Sequence, residues 1–280
     1  MKKLLSLFLA LALAIAAVYI VLSTYDDSRP SSGADNDLSS SSFSPLCIYN
    51  ANSITATLTD LSYEPGKDLD ATFHVENTSE HEVYFEIDGC VLDGASFPLT
   101  MYWYTISAGT SGDCDLALDN RDIAKYGIDD LHQVKFKLSI YDTVAEDTLD
   151  EFWSDDIIID GSDYTFPLSA DSYECVYDRD GIKLYDLGAI GNDACALVYN
   201  GRDSDVMLTP LSVSFDGVMD SDFVSWGQFV FSHTYYILPI ECDDDISALT
   251  TAKFSIWVYS SENGTNAFLY ETDPIELKLQ

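Results

Sequence analysis

The feature that most constrains this chain is a period of two. Ile54, Ala56 and Leu58 alternate with Thr55, Thr57 and Thr59, Phe73 and Val75 with His74 and Glu76, and Val83, Phe85 and Ile87 with Tyr84 and Glu86. Val134, Phe136, Leu138 and Ile140 alternate in the same way with Lys135, Lys137 and Ser139. Successive side chains of an extended strand point to opposite faces, so each run predicts a strand that buries one face only. The runs are short and are bounded by Gly, Asp, Asn and Ser clusters, which supply turns. A helix is expected only in LALDNRDIAKYGI, Leu116 to Ile128. Many short strands at regular spacing predict an all-β fold of antiparallel sandwiches.

The pattern is stated twice. Cys47-Ile48-Tyr49-Asn50 meets Cys175-Val176-Tyr177-Asp178, and Val75-Glu76-Asn77 meets Val198-Tyr199-Asn200. Ile87-Asp88-Gly89 then aligns with Phe215-Asp216-Gly217, and Asp113-Cys114-Asp115 with Glu241-Cys242-Asp243. The series closes with Lys135-Phe136-Lys137 against Lys253-Phe254-Ser255, and Ser154-Asp155-Asp156-Ile157 against Thr272-Asp273-Pro274-Ile275. Such an echo predicts tandem copies of one unit, residues 46–162 and 173–280, with a boundary in GSDYTFPLSADS. Residues 47 and 114 are 67 apart, as are 175 and 242. Equal spacing makes Cys47–Cys114 and Cys175–Cys242 the expected disulfides, with Cys90 and Cys195 unassigned.

Lys2 and Lys3 precede an apolar run, Leu4 to Leu22, followed by Ser23-Thr24-Tyr25-Asp26-Asp27. Nineteen helical residues span about 28 Å, close to the thickness of a bilayer's hydrocarbon core. Residues 1–23 are therefore a membrane anchor or a cleaved signal peptide. In either case the rest of the chain is expected outside the cytoplasm. Residues 24–45, rich in Ser and Asp, read as a flexible tether. The chain carries 13 basic and 48 acidic residues, a formal charge of −35. That field repels phosphate backbones and excludes nucleic acid as a partner.

The run GIDDLHQVKFKLSIYD followed by FWSDDIII, within Gly127 to Ile159, and the turn VENTSEHEV, Val75 to Val83, resemble a known family. It comprises the Ig-like β-sandwich repeats of exported or anchored proteins of Gram-positive bacteria. The resemblance covers most of the first copy and a diverged second copy that lacks the GIDD turn. It implies two tandem Ig-like sandwiches after the N-terminal hydrophobic helix and linker, and no catalytic residues.

Chemistry-bearing motifs are scarce. The sequence holds no Gly-x-Ser-x-Gly elbow, no Ser-x-x-Lys, no His-Glu-x-x-His and no phosphate-binding glycine loop. No catalytic residue is assigned, and no cofactor is expected apart from calcium. Calcium takes hard oxygens, and the Asp-rich turns offer Asp113, Asp115, Asp119 and Asp122, and the run Asp243, Asp244 and Asp245. Trp103, Trp257 and Tyr259 lie in strands, where exposed rings would make a sugar-stacking platform. The expected function is a non-catalytic binding protein of the cell envelope, with a surface protein or a glycan as partner. A structural spacer, or a carbohydrate-binding module with an aromatic platform, is the alternative reading.

Overall fold

A computed structural model describes residues 43–99, 102–159, 166–168, 170–220, 227–242, 245–262 and 265–279. The apolar run Leu4–Leu22, most of the tether, and Asp243 and Asp244 lie outside these residues.

Alternation becomes strand throughout. The first half runs β1 (Leu46–Ala51), β2 (Ile54–Ser62), β3 (Leu69–Asn77), β4 (Val83–Leu92), β5 (Ala95–Pro98), β6 (Trp103–Ile106), β7 (Thr110–Leu118), helix α1 (Asn120–Ala124), β8 (Gln133–Asp142), β9 (Asp147–Trp153) and β10 (Ile157–Ile158). The second runs β11 (Cys175–Arg179), β12 (Ile182–Ile190), β13 (Asp193–Asn200), β14 (Asp205–Phe215), β15 (Val218–Met219), β16 (Gln228–Val230), β17 (Thr234–Glu241), β18 (Thr251–Glu262), β19 (Thr265–Glu271) and β20 (Ile275–Lys278). The protein is all-β, built of antiparallel sheets with one short helix among the described residues. That helix is shorter than expected. Leu116 and Leu118 are buried at alternate positions of β7, and the turn starts only where Asp119 accepts the Arg121 N–H as an N-cap.

Strand pairing repeats along the chain. In the first half β1, β2, β3 and β7 form one sheet in that order, while β4 pairs with β5, β6 and β8, and β8 with β9 and β10. The second half has the same pairings with each strand ten places on: β11, β12, β13 and β17, then β14 with β15, β16 and β18, and β18 with β19 and β20. Inward residues of the two sheets meet in a buried core. Phe73 of one sheet lies 5.1 Å from Phe136 and 5.9 Å from Phe85 of the other, measured between ring centres.

Matching polar residues pin the two halves. Asn77 and Asn200 are fully buried, and each donates its amide to backbone carbonyls at the end of the neighbouring strand, Ile106 in one case and Val230 in the other. Their carbonyl oxygens accept the N–H of Ser79 and of Arg202, two residues on. Ser154 and Thr272 likewise accept backbone N–H groups, from Phe136 and Ile256.

One pairing has no counterpart: β5 runs parallel to β17, with Ala95 beside Tyr235. It fuses a sheet of the first half to a sheet of the second, in the order β10-β8-β4-β5-β17-β13-β12-β11. Cys195, Leu197 and Ile237 of the second half consequently belong to the hydrophobic core of the first.

Candidate binding faces

The strands that bury one face expose the other, and there the sheets carry aromatic residues. Cross-strand neighbours in the second half form the row Phe229–Met207–Tyr259–Phe268 over β16, β14, β18 and β19. Trp257 stands one step along β18, paired with Thr209 on one side and Glu271 on the other. Phe268 is 56% exposed and Trp257 38% exposed. Trp257 and Tyr259 share a strand face, as expected, but Phe268 joins them. Its ring lies 6.4 Å from Trp257 and 5.5 Å from Tyr259, at interplanar angles of 85° and 70°. Edge-to-face contacts of this kind stabilise a cluster, and they make it stepped rather than flat. Glu271 fixes one end, accepting the Trp257 indole N–H at 3.1 Å and the Ser255 hydroxyl at 3.2 Å.

The first half has a row at the corresponding place, Thr105–Tyr84–Tyr141–Thr148. Tyr84 and Tyr141 stack at 6.1 Å and 15°. Trp103, half exposed, pairs with Glu86 in the next row, which continues to Ser139 and Glu151. Sequence reasoning singled out Trp103, Trp257 and Tyr259 but not Tyr84, Tyr141 or Phe268. Their signal was present, since Tyr84 alternates with Val83 and Phe85. It became meaningful only when register placed the rings side by side.

Carboxylates border the first row. Ser139 is within 3.5 Å of Glu86 and 3.4 Å of Asp88. Burial, with the charge of Glu86 beside it, raises the Asp88 carboxyl to about 7. Lys137 bridges Glu151 at 2.7 Å and Asp205 of the second half at 2.8 Å. Burial opposes the lysine's charge, yet the hydrogen bonds it donates to Asp205 and Glu151 prevail and its pKa rises.

The expected disulfides are not formed: no bridge joins Cys47 to Cys114 or Cys175 to Cys242. Cys47 sits on β1 and Cys114 on β7, opposite edges of one four-stranded sheet, about 14 Å apart at three strand spacings. Disulfide-linked Cα atoms lie within about 7 Å of each other. Cys114 also faces the core while Cys47 is exposed. Cys175 on β11 and Cys242 just past β17 are likewise separated by β12 and β13. The equal spacing misled because Cys114 and Cys242 are not equivalent: register makes Leu238, not Cys242, the counterpart of Cys114. Burial pushes the Cys90 thiol well up and the Cys195 thiol up to about 12, the opposite of what a nucleophilic cysteine requires.

The calcium candidates among the described residues do not converge. Asp113 accepts from His74 at 2.6 Å and Asp115 from Thr72 at 2.8 Å, both on the exposed face of β7. Asp119 caps α1, and its bonds to Arg121 lower its carboxyl to about 2. Asp245 caps a 3-10 turn by accepting the Ser247 N–H. Among the described residues no three His, Cys, Asp or Glu are grouped to hold a metal ion.

An all-β protein with paired outward aromatic rows is the class that fold and faces define. No family model matches the chain, and no curated protein matches it. Two solved structures are similar at a TM-score of 0.25. One is a red sea bream transglutaminase, 10% identical, with 80% of this chain covering 32% of that one. The other is a protein of unknown function from Porphyromonas gingivalis W83, 13% identical, with 81% of this chain covering 99% of that one.

Proposed function

We propose that the chain is a non-catalytic, extracytoplasmic binding protein made of two tandem Ig-like sandwiches, held at or released from the membrane through residues 1–23, and that its outward aromatic rows bind a neutral glycan. The observation that carries this reading is the recurrence of an aromatic row at the same place on the outer sheet of both halves. Aromatic faces take the apolar C–H faces of sugar rings, and the carboxylates beside them, Glu86 and Glu271, accept hydroxyl hydrogens. A chain of charge −35 disfavours acidic polymers, which leaves neutral chains as the matching class.

Retention of the full chain on insoluble neutral cell-wall polysaccharide tests this. The expected result is retention that falls at least ten-fold in Trp257→Ala/Phe268→Ala and in Trp103→Ala/Tyr84→Ala. Absence of retention by the parent protein would overturn glycan binding and favour the spacer reading.

A further inference from the structure

A cleft of about 470 Å³ opens where the two halves meet. Leu99 and Leu118 of the first half and Ile190 and Pro239 of the second supply apolar walls. Its volume falls within the range of roughly 300–1,000 Å³ typical of small-molecule sites. It is separate from the aromatic rows and does not depend on how they are used.

The charges around the cleft are unequally satisfied. Asp119 is committed to α1 and Arg121, and Asp122 is paired with Lys125 at 2.9 Å. Asp193 is different: it is half-buried, lines the cleft, and its carboxylate has no hydrogen-bond or ion-pair partner among the described residues. Its charge is felt inside, because after burial it is the next cause of the raised Cys195 thiol. Tyr236 adds an aromatic wall whose hydroxyl is already spent on Gln228 at 2.9 Å.

An unpaired carboxylate in a cavity whose walls are partly apolar favours a ligand that brings both a positive charge and apolar surface. An anion would meet three aspartates against a single lysine, Lys125, itself paired with Asp122, and the field of the whole chain. We propose that this cleft binds a small organic cation, a primary amine carried on an apolar body, with Asp193 as its counter-ion.

Isothermal titration of the full chain in phosphatidylcholine nanodiscs, at 0.15 M salt and against empty discs, tests the assignment. The probes are phenethylammonium and its charge-reversed match, 3-phenylpropionate. Saturable one-site binding of the amine and none of the carboxylate is expected. Asp193→Asn, and Ala117→Trp, which fills the cleft from an exposed position on β7, should each weaken binding at least ten-fold. Glu276→Gln, an exposed acid on β20, should leave it unchanged. Thermal midpoints matching the parent confirm folded variants, and Asp193→Ser replaces the asparagine variant if that disturbs its strand. Failure of the amine to saturate, binding indifferent to Asp193→Asn or Ala117→Trp, or an equal loss in Glu276→Gln would each overturn the proposal.

Discussion

At the scale of single residues, the fold rests on buried polar groups whose partners are backbone atoms. Asn77 was visible in the sequence as part of a turn, yet its buried role was not, because an asparagine before a turn looks the same exposed or buried. Asp88 is the residue whose chemistry the sequence hid most fully, standing among 48 acids with no mark of its own. Its carboxyl, raised from 3.8 to about 7, is held by Ser139 on one oxygen while the other is buried without a partner. A carboxyl with a raised folded pKa stabilises the fold below its unfolded value, and that contribution is lost as pH rises through the folded one. The window here is about pH 4 to 7, and the full loss is on the order of a few kcal/mol. Asp88→Asn should therefore raise the thermal midpoint at pH 8 and change it little at pH 4. Melts of both proteins across that range check this, and equal shifts at both ends would contradict it.

At the scale of elements, the alternating strands β2, β3, β4 and β8 were legible and the equivalences between the halves were less so. Asp216-Gly217 aligns by sequence with Asp88-Gly89, yet in the fold it corresponds to Asp93-Gly94. Both pairs make the tight turn between β4 and β5 or β14 and β15 at positive φ. In each, the aspartate accepts two successive backbone N–H groups, from His132 and Gln133 or from Thr250 and Thr251. Asp88-Gly89 and Asp93-Gly94 stand five residues apart in the first half, and composition alone cannot choose between them. The segment after β7 was legible as a helix but not as a joint. Following α1, Tyr126 is buried, accepts the Ile237 N–H at 3.0 Å and donates to the Ser96 carbonyl at 3.4 Å. It takes up a β17 N–H just beyond the Tyr235 N–H bond to Gly94. Tyr126→Phe should cost about 1–3 kcal/mol by stranding those groups, with unchanged far-ultraviolet dichroism. Chemical denaturation measures the difference, and a neutral substitution would show that the hydroxyl does not secure the joint.

At the scale of the whole molecule, the two halves are joined by more than a linker. Pairing of β5 with β17 brings together strands about 140 residues apart, and a parallel pair leaves no local period for a sequence to reveal. Around that seam Ser96 hydrogen-bonds Thr234 and accepts the Phe231 N–H, while Phe166 stacks on Tyr235 at 4.4 Å. Lys137 joins Glu151 to Asp205 across the same boundary. The space beside Gly89 is filled by Phe231 of the other half and by the backbone of β5: a Cβ there would lie 2.5 Å from the Phe231 ring and 2.8 Å from the Phe97 carbonyl. A core shared in this way should unfold as one unit, with a calorimetric to van't Hoff enthalpy ratio of about one. Independent halves would instead melt in two steps or give a ratio near about two. Gly89→Ala should lower the midpoint through overpacking, by an amount on the order of 1–3 kcal/mol. Because the added methyl meets Phe231, the double variant Gly89→Ala/Phe231→Ala should cost less than the sum of its parts. Strict additivity would mean that Gly89 and Phe231 do not meet and that the seam is looser than its contacts imply. The two aromatic rows would then lie on halves free to turn relative to one another.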